Sequence, residues 1–370
     1  MTGRLHSLDV LRGFDMFWIM GGDALVIAVA ALFGCGTQEG VALQMHHPDW
    51  EGLRLIDLVF PTFIFIAGVS WPFSHARQVE LGRSRAAILW RILRRYAVLF
   101  ALGLVYVGFL VDGPVASRWD SVLGRIGFAW AAAATLYMFF SPRARIGIAA
   151  AILFGYWGVS LAFGAPDHPG AGRFTMEGCF AGWVDRMFCP GLIVNGGLIA
   201  NQGLLSNLPA VVTAMIGVFA GEYLRREGPP GARRTLVMLS AAAGLAAAGL
   251  AVAFGFGAWS FPIIKKLWSP SYVLVCGGCS LALLAVFHWL IDVKGFRRCT
   301  LFFKVIGLNA ITIYFGQSLV GFWRTNERLF TYVSKLCPGP WPAVVTAAGY
   351  VAVCWAFLYF LYRRKIFLKV

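Results

Sequence analysis

Long apolar runs separated by short polar connections dominate the chain. Read by hydropathy against the roughly 20 residues that a membrane-crossing helix needs, the runs fall at about 8–33, 53–74, 88–111, 121–140, 146–164, 207–224, 235–257, 271–291, 301–322 and 342–362. The pattern predicts an all-α polytopic membrane protein of about ten transmembrane helices, forming a single domain over residues 1–370. The longest polar connection, 165–206, is rich in Gly and Asn and is expected to be an ordered loop or small cap. REGPPGARR (226–234) reads as a short Pro/Gly turn between spans, and no internal repeat is evident.

Composition agrees with the pattern. The 370 residues are 59% hydrophobic and 13% charged, whereas a soluble domain is roughly 45–50% apolar and about 25% charged. A net charge of +15 invites a nucleic-acid reading, but the basic residues cluster between apolar runs, where they report topology. With the N-terminus inside, the inner side carries Arg4, Arg12, the six arginines from Arg77 to Arg95, Arg143, Arg145, and the basic residues near 225–234, 294–304 and 363–369. These are 22 of the 32 Lys and Arg, so both termini are expected in the cytoplasm. The 165–206 segment and the loop holding His46 and His47 then face outward. The first apolar run carries Asp9, Arg12 and Asp15 and precedes no small-residue cleavage site, so no cleavable signal is expected. Cys276, Cys279, Cys299 and Cys354 fall in or near spans or at the inner face. Cys276 and Cys279 have no second ligand pair and read as packing residues. Cys35, Cys179, Cys189 and Cys337 fall at the outer face, where Cys179 with Cys189 is the best candidate for a disulfide.

Titratable groups at the edges of such spans are where chemistry is expected. The stretch HHPDWEGLRLIDLVFP places two histidines before a proline that stiffens the loop. Trp50 can anchor that loop at the interface. Asp57 heads the next apolar run, within reach of an imidazole. A carboxylate that orients a histidine recurs in general-base sites. His47 leads, His46 could substitute geometrically, and Asp57 also suits a helix cap. Asp15 and Asp23, eight residues apart in the first run, share a helix face and should line a cavity. Gly21 and Gly22 permit a break there, and Asp23 could hold a cationic amine. Arg12 and Arg125 either snorkel to headgroups or, for Arg12, recognise phosphate. Asn309, with Gln317 two turns on, reads as an interhelical hydrogen-bonding amide. There is no Walker loop, dinucleotide fingerprint, HExxH motif or GxSxG elbow, and no credible zinc set.

The segments RLHSLDVLRGFDMF, HPDWEGLRLIDLVFPTFIFIAGVS, GRIGFAWAAAATLYMFF, GCFAGWVDRMF, QGLLSNLPAVVTAMIGVFAGEYL, KKLWSPSYVL, DVKGFRR, GLNAITIYFG and YRRKIFLKV, in that order, resemble the heparan-alpha-glucosaminide N-acetyltransferase family and its bacterial relatives. The resemblance implies a membrane-embedded acetyltransferase, here of a bacterial inner membrane, that passes an acetyl group from cytosolic acetyl-CoA to a glucosamine amine on the far side, without a metal. It implies that His47, three residues before Trp50, is the active histidine. It matches Asp57 to the family's DLVFP aspartate and Asn309 to its GLN asparagine. Arg12, Arg125 and Asn309 are then candidates for holding the coenzyme, and Asp23 and Trp50 for the acceptor. Pairing of two copies stays open. Two departures leave the acceptor open as well: MGGD stands where the family carries an Asn-Tyr-Gly-Gly stretch, and Asn201 and Gln202 stand where it carries carboxylates. The rival readings are an O-acetyltransferase of an envelope polysaccharide and a transporter of a polar substrate.

Overall fold

The computed structural model describes residues 5–226, 231–298 and 300–368. Arg4, Cys299, Lys369 and residues 227–230 of the Pro/Gly turn, which entered the reading above, lie outside the described residues. Among the described residues the chain is helical, with three isolated β-bridges and no strand. In order the helices are α1 (His6–Phe17), α2 (Asp23–Leu32), α3 (Gly40–Leu43), α4 (Val59–Glu80), α5 (Arg85–Tyr106), α6 (Phe109–Ala116), α7 (Val122–Phe139) and α8 (Pro142–Ala162). They continue with α9 (Phe180–Phe188), α10 (Asn207–Arg225), α11 (Gly231–Phe254), α12 (Pro270–Phe287), α13 (Leu301–Leu308), α14 (Ala310–Leu319), α15 (Phe322–Lys335) and α16 (Trp341–Arg363).

Local chemistry sets several of these starts. Ser84, Ser121 and Ser141 each accept the backbone N–H three residues on, opening α5, α7 and α8. Such a cap is worth about 1 kcal/mol. Pro142 sits at the first position of α8, where its missing N–H costs nothing.

Eight helical segments among the described residues are long and apolar enough to cross a membrane, or nine if α5 and α6, bent by 92° at their junction, count as one. These fit the polytopic helical protein expected, with the count one or two below about ten. The difference lies at 301–322, where Asn309 (φ −126°, ψ 33°) leaves the helical conformation and divides the run into pieces of 8 and 10 residues. Neither piece alone spans the hydrocarbon. The amphipathic α15 that follows was not anticipated from hydropathy. One correction concerns Asp15 and Asp23. A π-helical turn, Trp18–Gly22, intervenes, and Gly21 adopts φ 108°, a conformation glycine tolerates. Uniform helical periodicity therefore does not carry from Asp15 to Asp23.

Contacts divide the chain into two compact units. One holds residues up to 48, 54–59 and from 283 onward; the other holds 49–53 and 60–282. In the first, α1 packs on α13 through Gly13 and Gly307. A Cβ at either would overlap a backbone carbonyl of the facing helix, Phe303 or Asp9. Phe14 and Phe17 meet Phe303 edge-on beside this contact. In the second unit α4 and α10 approach as closely, through Gly68 and Gly217. Small residues at helix contacts are the usual means of close packing in a bilayer. Some polar side chains inside this unit pair with one another: Thr62 with Ser280 at 2.9 Å, and the Trp268 indole N–H with Thr213 at 3.0 Å.

The 165–206 segment is ordered around α9. Cys179 precedes that helix and Cys189 follows it. A nine-residue helix rising 1.5 Å per residue holds them roughly 15 Å apart, beyond disulfide reach, so both thiols are free and the expected pair does not form. Cys276 is fully buried in α12, in keeping with packing.

The helix contact is testable. Gly217→Leu should lower the thermal midpoint of the detergent-purified protein markedly, because the added side chain meets the Phe65 backbone and overpacking costs about 1–3 kcal/mol or more. Gly244→Leu, on the exposed side of α11 with nothing within 4 Å, should leave the midpoint nearly unchanged.

Candidate active site

The loop from α3 to α4 is built from its own backbone. The Ile56 N–H donates to the Gln44 carbonyl, and the Leu55 N–H to the Gln44 side chain. A short 3₁₀ turn, Leu55–Leu58, leads into α4. At its head the Arg54 N–H donates to Asp57 Oδ2 at 3.0 Å, and the Asp57 N–H returns to the Arg54 carbonyl. The Arg54 guanidinium reaches back to the carbonyl oxygens of His46 and His47. One arginine thus holds both histidine peptides beside the carboxylate.

Asp57 is 0% exposed, and its second oxygen, Oδ1, lies 2.7 Å from His47 Nδ1. The His47 side chain remains 57% exposed. A carboxylate accepting from Nδ1 fixes the imidazole tautomer and leaves the lone pair on Nε2. The two uses of Asp57 foreseen from sequence coexist: one oxygen caps the turn and the other orients the ring. His46 is turned differently, with its Nε2 buried and no partner among the described residues.

The other expected residues of this unit are placed as follows. Asp23 starts α2 and its Oδ1 accepts the Ala24 N–H. Asp15 is 4% exposed, and its Oδ2 has no hydrogen-bond partner among the described residues. Arg12 is partly exposed and lies 3.5 Å from Asp9. Asn309 donates from Nδ2 to the Ile366 carbonyl and accepts from Thr312, which ties the helix break to the C-terminal segment.

Trp50 and Arg125 belong to the second unit. The Trp50 indole N–H donates to the Phe174 carbonyl at 2.6 Å, and Lys266 Nζ stands 5.9 Å from its ring. Lys266 also donates to Asn195 Oδ1, and Asn195 to Asn201 Oδ1. Burial pulls the Lys266 ammonium below the usual lysine range, against the raising effect of Asp49. Trp50 is therefore held by the protein through its indole N–H. Arg125 is 2% exposed, donates to Asn207 and Ser206, and lies over the Trp268 ring. The snorkelling alternative does not hold for it.

Sequence reading did not single out Asp185. Its two oxygens accept the Ala200 and Leu204 N–H groups, clasping α9 to the end of the loop. An acidic residue in the apolar-rich segment FAGWVDRMF was the available signal. Among the described residues no group of three or more His, Cys, Asp or Glu could hold a metal ion.

These features define a polytopic helical membrane protein that presents a carboxylate-held imidazole at the head of a buried helix. No family model matches the chain. Two curated proteins are similar to it over its whole length. Human heparan-alpha-glucosaminide N-acetyltransferase is 28% identical over 426 residues, covering 99% of this chain, and the mouse protein of the same name is 25% identical over 428 residues, covering 100%. The chain is similar to this family over its full length, which supports membership of it. It spans about 60% of the length of each of them.

Two outcomes test the geometry. In the ¹⁵N spectrum of the imidazoles, His47 should carry its proton on Nδ1. Asp57→Asn, whose amide can donate to Nδ1 and still cap through its oxygen, should move the proton to Nε2; an unchanged tautomer would show that Asp57 does not set it. For Asp185, burial raises the carboxyl to about 6 despite the two backbone donors. The folded value lies above the unfolded one, about 3.9, so the native state binds the proton more tightly. Its contribution to stability is complete below about pH 4 and lost as pH rises through about 6. The difference in thermal midpoint between wild type and Asp185→Asn should therefore change across that window and be flat above it.

Proposed function

We propose that the chain is a transmembrane acetyltransferase that moves an acetyl group from acetyl-CoA to the amine of a glucosamine or related amino sugar. The observation that carries this reading is the His47–Asp57 pair at 2.7 Å, set at the head of a membrane helix. The names of the two whole-length relatives point to the same chemistry.

The reaction breaks the thioester C–S bond and forms an amide C–N bond. In the direct route the neutral acceptor amine attacks the thioester carbonyl. His47 Nε2 takes the proton that the nitrogen sheds, and coenzyme A leaves as the thiolate, which that proton can then neutralise. Asp57 holds the ring in the tautomer this requires and stabilises the imidazolium that forms. In the stepwise route Nε2 attacks the thioester carbonyl and the C–S bond breaks, releasing the coenzyme A thiolate; the amine then takes the acetyl group as the Nε2–C bond breaks, and the proton it sheds passes to the freed Nε2. Both routes need the lone pair on Nε2, so both need Asp57. Positioning supplies much of the rate when the acceptor is held beside the thioester. Within the first unit, Asp23 is assigned to the acceptor, and Arg12 and Asn309 to the coenzyme. We place both termini on the cytoplasmic side of a bacterial inner membrane, with α13 and α14 together making one broken crossing, following the 22 inner basic residues of 32.

The test uses the purified protein in sealed vesicles, radiolabelled acetyl-CoA, and glucosamine, a hydroxyl-only polysaccharide or no acceptor. Wild type should acetylate the amine. His47→Ala should lose at least about a hundredfold in rate, the scale of general-base catalysis, and His46→Ala should retain most of it. Full activity in His47→Ala removes the proposed mechanism. Label passing only to hydroxyls assigns the chain to O-acetylation, and label crossing the membrane without covalent transfer assigns it to transport.

A further inference from the structure

A second cluster of charge lies within the second unit, at the end where α4, α7 and α10 finish and α5 and α8 begin. Its hub is Tyr137. Arg145, from the first turn of α8, lies over the Tyr137 ring at 4.9 Å and over Phe219 at 5.4 Å, with Nη2 on Glu222 at 2.8 Å. Arg225 hydrogen-bonds the Tyr137 hydroxyl, and His75 meets the Tyr137 ring edge-on at 5.2 Å. The charges of Arg225 and Arg85 both act on His75.

The hydrogen bonds do not balance here. Arg145 is 3% exposed, yet its Nε and Nη1 are buried with no acceptor among the described residues. Ring faces attract a guanidinium without accepting its in-plane N–H groups, and a buried charged donor left unmade costs more than a neutral one. Glu222 is the carboxylate that meets Arg145, and Arg225 and Arg85 add positive charge around His75. A bound anion would accept the unmade Arg145 N–H groups and share their charge. Deeper along α4, the buried Trp71 indole N–H likewise has no acceptor among the described residues, and its ring meets that of His75.

We propose that this cluster is a phosphate site: Arg145 and Arg225 hold a phosphate ester that enters at this end of the unit, and Trp71 receives a carbonyl further along the same ligand. Phosphate suits the place because Arg145 lies in the first turn of an apolar helix, at the depth where phosphate groups and interfacial aromatics meet. Arginine is the side chain best matched to phosphate oxygens. A phosphate followed by an ester or amide carbonyl describes both an anionic glycerolipid and coenzyme A. The site does not rest on the acetyl-transfer reading, and its test involves no turnover.

Binding is measured by native mass spectrometry on the delipidated, detergent-purified full chain, with phosphatidylglycerol, phosphatidylcholine, coenzyme A and 3′-dephospho-coenzyme A as probes. Phosphatidylglycerol or coenzyme A should bind, about tenfold or more weaker in Arg145→Gln and in Arg225→Gln, as expected for a lost charged hydrogen bond. Arg143→Gln, an exposed neighbour with the same loss of charge, should bind as wild type does. Preference for phosphatidylglycerol over phosphatidylcholine, with no effect of coenzyme A, identifies a lipid headgroup. Displacement of the lipid by coenzyme A identifies the coenzyme, and weaker displacement by the dephospho form identifies its 3′-phosphate as the group held. If Arg145→Gln does not fold, Arg225→Gln, at an exposed helix end, decides. Failure of both anionic probes to bind, equal binding by wild type and the Arg225 variant, or an equal loss in Arg143→Gln overturns the site.

Discussion

A carboxylate buried at the head of a membrane helix has to find donors close at hand, because hydrocarbon supplies none. Asp57 finds them in the chain immediately before it. One oxygen takes the Arg54 N–H and closes the turn into α4; the other takes His47 Nδ1. The helix start and the orientation of the imidazole therefore depend on the same group. Arg54 completes the arrangement by gripping the carbonyls of both histidines, so the loop is tied on both sides of the carboxylate.

The same constraint recurs in both units with different solutions. Asn309 interrupts what would be a continuous apolar helix, and its side chain covers the Ile366 carbonyl. Arg125 is wholly inside the second unit, and Asn207, Ser206 and the Trp268 ring share its charge and donors. Thr62, Ser280 and Thr213 pair with side chains on other helices. Where helices meet most closely the contact is glycine on backbone, as between α4 and α10 and between α1 and α13. Buried groups that lack such a solution stand out by contrast. Asp15 is one, and the Arg145 donors beside Tyr137 are another.

Hydropathy was enough to establish a helical membrane protein and most of its spans, since partition into a bilayer depends on the summed character of about 20 consecutive residues. It failed at 301–322 because a single asparagine barely alters that sum yet changes the backbone. It overlooked α15, whose apolar residues occupy one face while the polar residues of the other lower the average. The loop before α4 was legible too. His47 and Asp57 are ten residues apart in one short turn, so proximity along the chain implied proximity in space. The choice between His46 and His47 was not legible from that spacing, since successive side chains in such a turn point in different directions.

Class, most spans and the loop that holds the candidate residues were thus legible in the sequence alone, because each follows from neighbours along the chain. The tertiary structure decided where each remaining polar group finds its partner. Trp50 is tied to Phe174, 124 residues away, and Arg125 to Asn207, 82 residues away. Cys179 and Cys189 are kept apart by the helix that forms between them. In a medium that offers no hydrogen bonds, a polar side chain is defined by whichever helix lies beside it, and helix adjacency is set by packing across the whole unit, which no local stretch of residues records.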